Sequence, residues 1–159
     1  MSEYTATLRW RNNAGLDFAK GRYSRVHSWE FDGGITVPAS SSPHVVRVPM
    51  SSEEAVDPEE AFVASIASCH MLSFLWVAAK RGFVVESYED EARGTMSKNA
   101  EGKLAITSVD LNPRTRFSGD KLPDSKGLDE MHHEAHELCF IASSVKSEIR
   151  CHPFGSEMR

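Results

Sequence analysis

Residues 57–82 read DPEEAFVASIASCHMLSFLWVAAKRG, and the reading of this stretch decides the fold. Asp57 suits an N-cap, Pro58 the first helical position, and Glu59 and Glu60 the positive end of a helix dipole. Lys80 and Arg81 suit the opposite end, and Gly82 suits a left-handed stop. Between these signals Phe62, Val63, Ile66, Ala67, Met71, Leu72, Phe74, Leu75, Trp76, Val77 and Ala79 run nearly all round the helix. A helix apolar on every side is buried, in a core or against a partner subunit. At about 1.5 Å of rise per residue it is roughly 36 Å long, which is long for a small domain and points to packing against a second chain. In its middle sit a thiol, Cys69, and an imidazole, His70, among Ser65, Ser68 and Ser73. That is a high polar density for a core helix.

Strands are expected upstream. YTATLRW (4–10) carries residues that favour them, and RYSRVHSWEF (22–31) alternates, with Tyr23, Arg25, His27, Trp29 and Phe31 on one face. FDGG (31–34) then turns the chain into ITV (35–37), a hairpin signal. HVVRV (44–48) is a further strand candidate, and 51–56 is a polar loop. Downstream, FVVESYEDEARGTM (83–96) and LAITSVDLNPRTRF (104–117) read as two strands joined around NAEGK (99–103). A polar stretch, SGDKLPDSKG (118–127), leads to a second helix, LDEMHHEAHELCFIASS (128–144), and SEIRCHP (147–153) reads as a last strand. The order of strands, long helix, strands, helix and strand is α+β. It has no βαβ rhythm and no Gly-rich phosphate loop.

The chain has 159 residues, 40% hydrophobic and 26% charged, which suits a single packed domain over 1–159. A formal net charge of -5 argues against a nucleic-acid binder and against a surface built for anionic membranes. The N-terminus lacks the apolar core of a signal peptide, and no apolar run is expected to approach the roughly 20 residues of a bilayer span. A cytoplasmic location is expected. Three cysteines, an odd number, do not read as a structural disulfide framework.

Cys69 lies in the middle of the first helix and Cys139 in the middle of the second. Cys139 follows His132 and His136 by seven and three residues, so all three are expected near one face. A histidine beside a thiol favours the thiolate, the nucleophilic form. Either cysteine is otherwise a small core filler.

DPEEAFVASIASCHMLSFL (57–75) resembles the central helix of the OsmC/Ohr family of thiol peroxidases. Pro58 and Glu59 open the helix and Cys69 follows the Glu by ten residues. AHELCFIASSV (135–145) resembles the region of the family's second cysteine, here Cys139. YSRVHSW followed by FDGG resembles the strand pair that carries the family's arginine. The resemblance spans about residues 4–153.

The resemblance implies an OsmC-like α+β fold and an intertwined homodimer. It also implies reduction of an organic hydroperoxide: Cys69 would be the attacking thiol, Cys139 the resolving thiol, and a lipoyl-type dithiol the reductant, with no cofactor and no metal. An arginine would stand beside the thiolate. Arg25 is preferred and Arg22 is the alternative. Glu59 would hold that arginine by a bidentate pair. Ten helical residues separate Glu59 from Cys69 by about 15 Å of rise, so on one unbroken helix they do not touch; either the helix kinks, or Glu59 serves the site through the arginine or across a dimer interface.

Two departures mark a divergent branch. Phe140 follows Cys139 where the family often has proline, and His70 follows Cys69 where an aromatic is common. Cys151 lies outside the pattern and reads as a bystander.

Three rival readings stand beside this one. His132, His136 and Cys139, or His70 with Cys69, offer zinc ligands, although no CxxC pair is present. A non-catalytic dimeric interaction domain fits the apolar helix. A hydrolase with Cys69 as nucleophile and His70 as base is disfavoured, because adjacent helical residues point about 100° apart. His70 is expected to pack or hydrogen-bond rather than act as a base.

Overall fold

The structure, a computed structural model, describes residues 1–155. Backbone contacts group the chain into two compact units, Met1–Ala61 and the residues from Phe62 on.

In the first unit β1 (Ala6–Arg9), β2 (His27–Phe31) and β3 (Thr36–Ala39) form an antiparallel sheet in the order β1-β2-β3. The β2–β3 hairpin turns through FDGG as expected. Gly34 donates to the Phe31 carbonyl at 2.9 Å with φ 81°, a left-handed backbone that glycine adopts without strain.

β2 is shorter than the alternation suggests, because residues 22–26 are not strand. Local bonds compete with the ladder there. The Ser24 hydroxyl accepts from the Val26 amide, the Ser24 carbonyl accepts from Trp10 Nε1 at 2.8 Å, and the Arg25 amide donates to the Met50 carbonyl at 2.7 Å. Arg25 is therefore on a loop, not on a strand face with His27. HVVRV is also not a strand. Bracketed by Pro43 and Pro49, it folds as turns, with Val45 and Val46 both donating to the Ser42 carbonyl.

Helix α1 runs Pro58–Lys80. A capping box opens it: the Glu60 amide donates to Asp57 Oδ1 at 2.8 Å, and the Asp57 amide donates to Glu60 Oε2 at 3.3 Å. Gly82, at φ 77°, closes it by donating to the Ala79 carbonyl while Phe83 donates to that of Ala78.

One stripe of α1 is buried, Ile66, His70, Phe74, Val77 and Ala78, whereas Leu72 and Trp76 are 61% and 53% exposed. Contrary to the sequence expectation, α1 is long and apolar enough to cross a bilayer, with a mean hydropathy of 1.7 over its best window. No charged side chain interrupts residues 61–79. Its buried stripe nevertheless packs against strands and a second helix, as a core helix does.

In the second unit each long strand candidate splits in two. β4 (Val84–Asp90) and β5 (Arg93–Lys98) belong to different sheets, as do β6 (Leu104–Leu111) and β7 (Pro113–Ser118). The orders are β4-β7-β9 and β5-β6-β8, with β8 Glu148–Cys151 and β9 Phe154–Gly155. Asn112 fixes both breaks. Its amide donates to Asp90 Oδ1 at 2.7 Å and its Nδ2 to the Glu91 carbonyl at 3.0 Å, and Pro113 then begins β7. β8 lies parallel to β6, with Leu111 opposite Cys151.

α2 runs Ser125–Leu138, capped by Asp124 Oδ1, which accepts from the Gly127 amide at 2.7 Å. It starts earlier and ends earlier than expected, so Cys139 is its C-cap and not a mid-helix residue. A short 3-10 turn, Ala142–Ser144, follows.

Two apolar clusters hold this unit. Phe74, Val77 and Ala78 of α1 pack with Phe117, Leu128, Met131 and Ala135. Ile66 packs with Val109 and Leu111. Each large side chain fully buried this way stabilises by about 1.5–3 kcal/mol.

Candidate functional site

Cys69 sits partly buried on α1. Cys139 comes to it from the end of α2, where an extended backbone (φ -76°, ψ 109°) turns the chain out of the helix. The Cys139 thiol lies near that of Cys69, close enough to act on it, and its sulfur accepts from the Ala142 amide at 3.3 Å. Cys139 is 1% exposed. Burial first, and the neighbouring Cys69 second, push its thiol up to about 11. Near neutral pH Cys139 therefore keeps its proton. Two neighbouring thiols therefore differ in access, Cys69 being partly open and Cys139 sealed.

Arg25 belongs to the first unit. Its Nη1 donates to the Gly21 carbonyl at 2.9 Å and to that of Tyr23 at 2.5 Å, and the guanidinium lies 3.7 Å over the Tyr23 ring. It lines a cavity of about 430 Å³ with Leu8, Trp10, Phe18, Tyr23, His27 and Ser41. Beside it, His27 Nδ1 donates to the Arg25 carbonyl at 2.7 Å, since Nε2 accepts from Trp29 Nε1 at 2.9 Å. Arg22 is exposed.

Glu59, in the same unit, has a buried Oε2 with no protein hydrogen-bond partner. Among the described residues of this one chain no ion pair joins it to Arg25, whose Nη1 donates to backbone carbonyls. Glu59 and Cys69 lie on one α1 helix, ten residues apart.

The histidines depart from the sequence expectation. His132 does not share a cluster with His136 and Cys139. It is buried, with its Nδ1 3.0 Å from Nε2 of His70. The ring centroids are 5.3 Å apart and the facing nitrogens 3.0 Å apart, so these parallel rings meet end to end, not face to face. Burial, the main cause in each ring, lowers His70 to about 4 and His132 to about 3, which keeps both neutral. Cys151 completes the group, with its Sγ 3.7 Å from His70 Nε2. Sequence reasoning missed this trio, because its members are 62 and 81 residues apart and carry no local motif.

A long thiol-bearing helix, flanked by strands and met by a second thiol at the end of another helix, defines an α+β protein with two neighbouring thiols. The chain belongs to the OsmC-like protein family, whose model matches residues 51–152. An OsmC-like protein of unknown function from Vibrio cholerae O1 biovar eltor is 51% identical, with a TM-score of 0.94 over 97% of this chain and all of that one. Two more distant structures share the fold. An organic hydroperoxide resistance protein from Elizabethkingia anophelis has a TM-score of 0.69 at 13% identity, covering 99% of this chain and 98% of its own. The organic hydroperoxide resistance protein OhrB of Bacillus subtilis has 0.63 at 18%, covering 98% of each chain. No curated protein matches the sequence.

Proposed function

We propose that this protein is a thiol peroxidase that reduces organic hydroperoxides. The observation that carries the proposal is the placement of the sealed Cys139, at the end of α2, near the partly exposed Cys69 on α1. Family membership and the peroxide-resistance proteins that share the fold support it.

In this reading the Cys69 thiolate attacks the distal peroxide oxygen. The O–O bond breaks, the alkoxide leaves and takes a proton to become the alcohol, and Cys69 becomes a sulfenic acid. The Cys139 thiol then displaces hydroxide from that sulfur, releasing water and forming the Cys69–Cys139 disulfide. A dithiol of lipoyl type reduces the disulfide and is itself oxidised. The resemblance also assigns Arg25, with Arg22 as alternative, and Glu59 to the reaction. It assigns a homodimer as the working state, which analytical ultracentrifugation tests: a fully active monomer contradicts it.

The experiment is peroxide reduction by wild type, Cys69→Ser and Cys139→Ser, with dihydrolipoamide and thioredoxin compared as reductants. Cys69→Ser is expected to be inactive, and Cys139→Ser active only with an external thiol. Arg25→Ala and Arg22→Ala decide which arginine lowers kcat/KM. Full activity in Cys69→Ser contradicts the mechanism.

A further inference from the structure

The redox pair leaves one buried polar group unexplained. His70 from α1, His132 from α2 and Cys151 from β8 offer donor atoms that all lie within 4.8 Å of one another. His70 and His132 are 1% and 3% exposed. The four ring nitrogens share a single contact with each other, and the outer pair, Nδ1 of His70 and Nε2 of His132, has no protein partner. The neighbouring Tyr88 hydroxyl and Asp90 Oδ2 are likewise buried without one. Native interiors satisfy their polar groups, and a cluster this incomplete is of the kind that a bound ion completes.

We propose that His70 Nε2, His132 Nδ1 and Cys151 Sγ bind a zinc-class divalent cation, at a site separate from the Cys69–Cys139 pair. Two imidazoles and a thiolate are the donor set such ions prefer, and three protein ligands leave one position open. Two of the three spacings are close to what an ion needs. With bonds of about 2.0–2.1 Å to nitrogen and 2.3 Å to sulfur, tetrahedral coordination separates two nitrogens by about 3.3 Å and nitrogen from sulfur by about 3.6 Å. The two nitrogens are 3.0 Å apart and His70 Nε2 is 3.7 Å from Cys151 Sγ, while all three donors lie within 4.8 Å of one another. The two rings now face each other along their N···N line, and each turns by roughly 35° to aim its nitrogen at a shared ion.

The charge also balances. A dication with the Cys151 thiolate carries one net positive charge, and the Asp90 carboxylate is near enough to act on both Cys151 and Tyr88. Binding releases the Cys151 proton. The proton between the rings moves to the outer nitrogen of the ring that held it, so both imidazoles stay neutral. The three ligands come from α1, α2 and β8, so the ion ties together the elements that build the second unit.

Cobalt(II) titration of the reduced, metal-stripped, tag-free protein tests this by absorption. The expected result is one equivalent bound with a thiolate-to-cobalt charge-transfer band, displaced by one equivalent of zinc(II). Cys151→Ser removes the band. His132→Gln weakens binding by roughly tenfold or more, at least what loss of an outer-shell partner costs. The Cys69→Ser/Cys139→Ser double variant keeps both band and stoichiometry, so the outcome is independent of the peroxidase reading. In wild type, needing no variant, zinc(II) shields Cys151 from alkylation in peptide mapping. The proposal is overturned by absence of stoichiometric binding, by a band that survives Cys151→Ser or vanishes in the double variant, or by a Cys151 that zinc leaves unprotected.

Discussion

Cys139, at the C-cap of α2, lies near Cys69, on α1, and the two thiols act on one another. Cys139 is 1% exposed and its thiol is pushed up to about 11, chiefly by burial. A raised thiol value disfavours the thiolate, so Cys139 is expected to resist alkylation below about pH 11 and to react increasingly as pH approaches that value. Iodoacetamide labelling across this range, with peptide mapping, checks it. Rapid labelling of Cys139 in the folded protein at pH 7 contradicts this description of the pair.

Gly94 on β5 lies against α1. A Cβ there would stand 2.6 Å from Val63 Cγ2 and 3.3 Å from Ile106 Cγ2. Gly94→Ala is therefore expected to destabilise by about 1–3 kcal/mol through overpacking. Val63→Ala, which removes the closer methyl, is expected to recover much of that loss in the double variant. Urea midpoints of the two single variants and the double variant measure the coupling. Purely additive losses would show that the contact is not what excludes a side chain.

Asn112 holds the break between β6 and β7 through its Nδ2 bond to the Glu91 carbonyl. Asn112→Ala leaves that carbonyl without its donor and is expected to cost about 1 kcal/mol. Its amide bond to Asp90 does not depend on the side chain, so the register of β4 on β7 is expected to persist. Hydrogen exchange of the β4 and β7 amides reads the register, and denaturant unfolding reads the loss.

The Asp57–Glu60 capping box sets the start of the helix that carries Cys69. Asp57→Ala is expected to lose about 1 kcal/mol, and Asp57→Ser to keep most of it, since serine also accepts from the helix amides. Thermal unfolding of the two variants separates loss of the cap from loss of the charge. Equal destabilisation by both would remove capping as the explanation.

The parts of the fold legible in the sequence were those written in short-range chemistry. The α1 boundaries follow from Asp57, Pro58 and Gly82, and the β2–β3 hairpin from FDGG. What was not legible depends on partners distant in sequence. Residues 22–26 alternate like a strand, yet Ser24 and the Met50 carbonyl claim their backbone. The breaks near Asp90 and Asn112 exist because these two residues, far apart in sequence, bond each other. Asp124 caps α2 inside a stretch that reads simply as polar, and the early end of α2 moves Cys139 from mid-helix to C-cap. At the site, Cys69 and Cys139 stood out from the sequence alone. Cys151 did not, because only the parallel pairing of β8 with β6 puts it in its place near His70.

The most direct measurement of the central claim is peptide mapping by mass spectrometry after the reduced protein meets one equivalent of cumene hydroperoxide. A single Cys69–Cys139 disulfide is expected, with Cys151 still reduced. A Cys69 that remains a free thiol, or a disulfide through Cys151, would contradict it.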